Sequence, residues 1–342
     1  MIELGGSHRL AVRRAGRGGI PLLVIHGFPC TSLIWSRNIG PLAAAGFDVA
    51  APDLRGYGQS DFVADDVYDI TAFSTDLAGL MDALGWDKAV VVAHDLGAAI
   101  TMDFANRFAD RVERVVLLDA TTPDLREQYA AAGITATRGS DRKVLFDYQI
   151  NQGLHAADLL DMLNTPERRR RYIGEFFGHR LWAPAHAFSD ADRELLTAAY
   201  ADADRLRVAF ADYEIVMGRR KVSAPTIEDQ KVEQPVMVMV GADAVTLGAN
   251  IEAKCEVAYP QLVGPFWIKD AGHFLCWEKP RVVNGAVRAF CADLLPTLTR
   301  RRDTAKPAVR QRSPGAARNA YLKCRHLNDA ARRILRATWD DG

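Results

Sequence analysis

The chain lacks any apolar run approaching the roughly 18–20 residues of a membrane span, so no spanning helix is expected. Its opening stretch, MIELGGSHRLAVRRAG, has no charged start followed by an apolar core, which argues against a secretory leader. Cysteine is sparse and scattered: Cys30, Cys255, Cys276, Cys291 and Cys324 are odd in number and show no CxxC spacing. That favours reduced thiols in a cytoplasmic protein over a disulfide framework or a cysteine zinc site. No metal and no cofactor are expected from the residues present.

Net charge is also absent, the 43 Lys+Arg balancing 43 Asp+Glu, but the balance hides an asymmetry. Residues 296–342 hold 12 basic against 4 acidic residues, a net of +8, so the remainder carries −8. The tail has no aromatic interleaving of the kind that binds nucleic acid, and no nucleic-acid partner is expected. It reads as a basic extension free to meet the acidic body, its own or a neighbour's, and the sequence leaves a homodimer open.

What is present is a rhythm. Short apolar, β-branched runs occur at Pro21–His26, Val49–Leu54, Ala89–Asp95, Val112–Ala120, Pro235–Gly241 and Pro265–Ala271, with residues 7–15 able to add antiparallel opening strands. Helical spacing separates them: Phe73, Leu77, Leu80, Met81 and Leu84 mark one helix, and Ala98–Phe108 another. Alternation of this kind predicts an α/β fold with a mostly parallel sheet covered by helices. The strand rhythm stops between Asp119 and Pro235, where the pattern is helical and broken at Pro123, Pro166, Pro184 and Pro225. Residues 1–121 and 231–295 therefore read as one core domain, and 122–230 as a helical cap over the strand ends. Residues 296–342 follow as a flexible extension.

The densest chemistry lies in AVVVAHDLGAAI, residues 89–100, where an apolar strand runs through His94-Asp95-Leu96 directly into a helix. Small residues, Ala93 and Gly97, flank Asp95 two positions away on either side, the pattern of a nucleophile on a tight strand-to-helix turn. An acid there could instead cap the helix. A second strand ends in His26-Gly27-Phe28-Pro29, and WIKDAGHFLCWEKP sets His273 after the last predicted strand. His26 and His94 read as residues that orient their turns. Asp53 and Arg55 read as ties within the PDLRGYG loop, and RRRR (168–171) and GRRK (218–221) as solvated faces. Trp35, Trp182 and Trp267 are candidates for pocket or core.

These motifs, with PDLRGYGQSD (52–61), resemble the aspartate-nucleophile branch of the α/β-hydrolases: epoxide hydrolases, haloalkane dehalogenases and fluoroacetate dehalogenases. The resemblance covers about residues 7–295 and is closest to soluble epoxide hydrolases. It implies an eight-stranded sheet, Asp95 as nucleophile, His273 as base, and an oxyanion hole from the backbone N–H groups of Phe28 and Leu96. A carboxylate is already ionised at neutral pH and can displace a leaving group from saturated carbon, giving an ester that water must then hydrolyse.

The resemblance further places Tyr148, in VLFDYQINQGLHAADLL, and Tyr213, in LRVAFADYEIVMG, where epoxide hydrolases carry the cap tyrosines that hydrogen-bond the epoxide oxygen. The positions where dehalogenases hold a halide or a carboxylate carry Leu96, Phe28 and Ala99 here. A neutral, mostly apolar epoxide is therefore the expected small-molecule substrate. Haloalkane or haloacid dehalogenation is the alternative, and a non-catalytic ligand-binding protein on the same fold is a further one. The acid of the triad is expected at Asp119, with Asp243 in MVGADAVTLG as the alternative.

Overall fold

The computed structural model describes residues 1–134, 146–179, 181–227, 229–244 and 250–295. The basic tail and Cys324 lie outside these residues. The strands are β1 (Ile2–Leu4), β2 (His8–Leu10), β3 (Val12–Ala15), β4 (Ile20–Ile25), β5 (Phe47–Pro52), β6 (Ala89–His94), β7 (Val112–Leu118), β8 (Val236–Gly241) and β9 (Leu262–Ile268). The core helices are α1 (Ile39–Ala44), α2 (Ile70–Leu84) and α3 (Leu96–Arg107). Between β7 and β8 run α4 (Arg126–Ala131), α5 (Asp147–Leu154), α6 (Ala156–Met162), α7 (Pro166–Gly178), α8 (Asp190–Thr197) and α9 (Ala203–Val216). The chain returns to the core with α10 (Ile251–Ala258), α11 (Leu275–Glu278) and α12 (Pro280–Phe290).

Seven strands form one sheet in the order β3-β5-β4-β6-β7-β8-β9, parallel throughout except for β3. The eight-stranded expectation is thus one strand too high among the described residues. The three-residue strands β1 and β2 pair only with each other. The free edge of β2 meets a loop instead of a strand, since Asp61 donates its N–H to the carbonyl of Arg9.

Local chemistry explains the main elements. Strands β6 and β8 are buried at every residue, which is why they read as unbroken apolar runs rather than alternating ones. Helix α2 starts where Asp69 accepts the N–H of Ala72 and stops at Gly85 with φ 70°. Its buried Phe73, Leu77, Leu80 and Met81 each stabilise the core by about 1.5–3 kcal/mol. Strand β9 starts three residues before Pro265, where the sequence alone would begin it; proline is accepted because β9 is an edge strand.

The sheet order sets the site. From β4 the chain steps to β5 on one side, then returns to β6 on the other, so the order reverses between β4 and β6. Loops leaving the carboxyl ends of strands diverge at such a point and open a crevice. The turns after β4 and β6 face each other across it, with the turn after β7 alongside. The inserted helices lie against the same end: Arg205 of α9 donates to the carbonyls of Gly56, Tyr57 and Ser60.

The expectation that RRRR is a solvated face needs correction at one residue. Arg169 is buried and donates to the carbonyls of Leu163 and Ala201, joining α7 to the segment before α9. On a helix, four consecutive residues point in four directions, and one of the four faces inward with Ile173 and Phe176. Cys30, Cys255, Cys276 and Cys291 are free and buried. No helix among the described residues is long and apolar enough to cross a membrane.

Candidate active site

Asp95 occupies the turn between β6 and α3 with φ 56° and ψ −126°, a conformation costly for a residue with a side chain. Its carboxylate makes no N-capping bond to α3, so the capping explanation for an acid at this place falls away. The turn is tight because its neighbours are small. A Cβ on Gly97 would lie 2.6 Å from the carbonyl oxygen of His26, and one on Gly27 would lie 2.4 Å from Asp95 Oδ1. Gly27 is what lets the first turn close onto the carboxylate.

That closure brings Phe28 N–H to 2.7 Å from Asp95 Oδ1, and the N–H of Leu96 adds to the field that favours the charged carboxylate. The His26 ring holds the Phe28 turn, with Nε2 accepting from Leu54 N–H and Nδ1 donating to the carbonyl of Gly27, each at 3.1 Å. Asp53 braces the neighbouring loops by accepting from Ser32 and Gln59 N–H, and Arg55 pairs with buried Asp76.

His273 lies between two carboxylates. Its Nδ1 is 2.6 Å from Asp119 Oδ2, and its Nε2 is 3.4 Å from Asp95 Oδ2. Asp119 follows β7 with φ 44° and is fully buried at its side chain, with Oδ1 3.3 Å from Gly241 N–H. The Asp243 side chain, by contrast, is exposed, and only its backbone N–H is drawn inward, to the carbonyl of Ala271. Among the described residues, Asp119 is the carboxylate that meets Nδ1.

The charges follow from this sandwich. Burial alone would lower the pKa of His273, but its bonds to Asp119 and Asp95 and their negative charges outweigh that and raise it to about 10. Burial would raise the pKa of Asp95, and the partnership with His273 overcomes it, leaving Asp95 below its usual range. His94 shows the opposite case: burial and the positive His273 push it down to about 3, so it stays neutral. Its Nε2 bonds the carbonyl of His273 at 2.9 Å, so that nitrogen carries the proton.

Aromatic rings line the inserted side. Tyr148 of α5 and Tyr213 of α9 meet edge to face at 5.7 Å, and Tyr213 packs at 5.3 Å on Phe28, beside the carboxylate. Phe176 and Trp182 contact Tyr148 at 5.0 and 5.6 Å, and Trp182 reaches His273 at 5.9 Å. Burial and the nearby negative Asp95 push both tyrosine hydroxyls well above their usual pKa, so they are neutral donors at neutral pH. Asp95 keeps a window in this cage, its side chain 27% exposed beside half-buried Leu96 and Ala99.

Of the three tryptophans, Trp182 joins the cage, Trp35 is core, and Trp267 is exposed on β9, donating to Glu252. Two contributors escape sequence reasoning. Phe176 shows only as an apolar position on α7, and Glu278 only as an acid five residues after His273. No group of three or more His, Cys, Asp or Glu that could hold a metal is found among the described residues.

Comparison with known proteins follows the same lines. A family model described as the alpha/beta hydrolase fold matches residues 20–280. Epoxide hydrolase A of Mycobacterium tuberculosis is 44% identical over 112 residues, 32% of this chain and 35% of that protein. An epoxide hydrolase of Caballeronia sordidicola is 43% identical over 98 residues, 28% of this chain and 30% of its own length. The matched stretch thus spans about a third of these relatives. The structure of ligand-free epoxide hydrolase CorEH superposes with a TM-score of 0.69 at 24% identity, covering 85% of this chain and 97% of that one, a likeness of fold.

Proposed function

Starting from a chain that belongs to the α/β-hydrolase fold family, we propose that it is an epoxide hydrolase that opens a neutral, mostly apolar epoxide to a vicinal diol through an ester on Asp95. The observation that carries this reading is the division of labour between the two oxygens of one carboxylate. Oδ1 is occupied by Phe28 N–H, whereas Oδ2 faces His273, on a side chain that keeps 27% of its surface exposed.

In this reading Oδ2 attacks an epoxide carbon from behind its C–O bond. The leaving oxygen takes a proton from Tyr148 or Tyr213, neutral hydroxyls that both feel the charge of Asp95 and whose rings meet edge to face. The first step gives an ester whose carbonyl oxygen is Oδ1, already seated against Phe28 N–H, with Leu96 N–H, which also favours charge on this carboxylate, as the second donor. Esterification also removes one of the two negative charges that hold the proton on His273, so the imidazolium becomes a stronger acid. Its proton passes to the tyrosinate, strongly basic in its buried setting, which leaves both groups neutral. Neutral His273, oriented by Asp119, then draws a proton from water as that water attacks Cγ of Asp95. Collapse of the tetrahedral intermediate breaks the bond between Cγ and Oδ2; the departing oxygen takes the proton of the newly formed carboxyl group, which releases the diol and restores the carboxylate.

The aromatic cage supports an apolar substrate, and the side chains of Phe28 and Leu96 offer no N–H to a departing halide. The inserted helices, residues 122–230, serve in this reading as the cap that excludes bulk water. Buried free cysteines suit a reducing cytoplasm.

Intact mass spectrometry of His273→Gln incubated with styrene oxide, cyclohexene oxide and 1,2-epoxyoctane tests the proposal. The variant should gain the mass of one epoxide, located on the peptide carrying Asp95. Turnover of an epoxide by the wild type with no adduct in the variant would overturn the covalent route, and no turnover of any of the three would overturn the substrate class.

A further inference from the structure

The loop that presents His273 is held at four backbone points within three consecutive residues. His273 N–H donates to the carbonyl of Trp182 at 2.6 Å, and its own carbonyl accepts from His94. The other two points belong to a single side chain. Glu278, at the end of α11, folds back so that Oε2 accepts Gly272 N–H at 2.6 Å and Oε1 accepts Phe274 N–H at 2.8 Å. One carboxylate therefore straddles the base, gripping the peptide on each side of it.

We propose that Glu278 is a positioning residue for the hydrolytic half of the reaction: by clamping the two N–H groups that flank His273 it fixes the imidazole for attack by water on the ester. This rests on the two-step reading above. The two steps ask different things of His273. Attack by Oδ2 on an epoxide needs the imidazole only as a nearby charge. Ester hydrolysis needs Nε2 aligned with both a water molecule and Cγ of Asp95, and a misplacement of about 1 Å in such a relay costs on the order of 10²-fold. The anchor is half-buried beside the imidazole; burial pushes its pKa up, while the two backbone N–H groups and His273 favour its ionised form. Charge-assisted bonds from backbone N–H groups to a carboxylate are about twice as strong as neutral ones, so the grip is stiffer than an amide would provide. A side chain that served only to stabilise the loop would affect both steps through the fraction of folded enzyme.

Glu278→Gln removes the charge and turns an NH2 toward one of the two N–H donors. Rapid-quench kinetics on whichever of styrene oxide, cyclohexene oxide or 1,2-epoxyoctane the wild type turns over fastest separates the steps. The expected result is alkylation within threefold of wild type and ester hydrolysis slowed about 10²-fold. The ester should then accumulate on most of the enzyme, with kcat and KM falling together. Hydrolysis within threefold of wild type, or equal losses in both steps, would overturn the proposal. If Glu278→Gln does not fold, Glu278→Asp keeps the charge but shortens the reach, and the same two criteria apply to it. His273→Gln run in parallel separates the two claims. An ester trapped there but absent from the Glu278 variants rejects the clamp alone, whereas no ester in any variant rejects the covalent reading.

Discussion

Phe28 donates its backbone N–H to Oδ1 of Asp95 at 2.7 Å, which leaves Oδ2 as the oxygen that looks toward His273. A carboxylate is symmetric in solution; here the fold makes its two oxygens different. On the proposed ester route, Phe28 N–H is engaged before any substrate arrives, so this donor needs no reorganisation when the ester carbonyl becomes tetrahedral.

The asymmetry predicts the fate of oxygen. In a single turnover with enzyme in excess in H2(18)O, the diol should carry no label, and the peptide containing Asp95 should gain one (18)O atom. Label in the diol from the first turnover, with none in the peptide, would mean direct attack by water on the epoxide.

The two tyrosines should matter to the first step and not to the second. Tyr148→Phe and Tyr213→Phe each remove a hydroxyl that stays protonated at neutral pH. Alkylation should fall by on the order of 10²–10⁴-fold when general-acid assistance is lost, most in the double variant. Hydrolysis of preformed ester should change little. Pre-steady-state burst amplitudes would reveal the reverse pattern if the tyrosines served water instead.

His273 links stability to pH. Its pKa is raised to about 10 in the folded protein, against roughly 6.5 for a free histidine. The folded state therefore binds this proton more tightly. The stabilisation is complete below about pH 6.5 and is lost as pH rises through about 10. The stability difference between wild type and His273→Gln, measured by urea unfolding, should shrink across that window. A constant difference from pH 6.5 to 10.5 would mean that His273 is not held as an imidazolium.

Arg169 gives a prediction remote from the chemistry. It is buried and bonded to the carbonyls of Leu163 and Ala201. Arg169→Ala should cost about 1–3 kcal/mol by stranding those acceptors and the space around them, seen as a lower midpoint in thermal unfolding. Arg168→Ala, at an exposed site one residue earlier, should stay within about 0.5 kcal/mol of wild type.

Much of the core was legible because buried parallel strands need unbroken β-branched runs, and the runs at Ala89–Asp95 and Val112–Ala120 differ from the observed strands by one or two residues at an end. The elbow was legible because the turn needs a small residue at 97, where a Cβ would meet the carbonyl of His26. Arg169 was misread because composition shows that a run is basic but not which member a helix rotates inward. Glu278 went unremarked because nothing in an acid's local sequence tells which N–H groups it will reach.

By itself the sequence determined the α/β architecture, the turn that bears Asp95, and the placing of His273 after the last strand, all features set by short-range steric demands and periodicity. The tertiary structure decided which acid meets the imidazole, since Asp119 and Asp243 both follow strands of the same sheet and only the first points inward. It also decided that distant residues such as Phe28, Tyr148, Phe176 and Tyr213 share one cage, and that Gly27 brings Phe28 N–H onto a single oxygen of Asp95. Those relationships depend on the reversal of strand order between β4 and β6, which joins turns far apart in the chain and which no local pattern encodes.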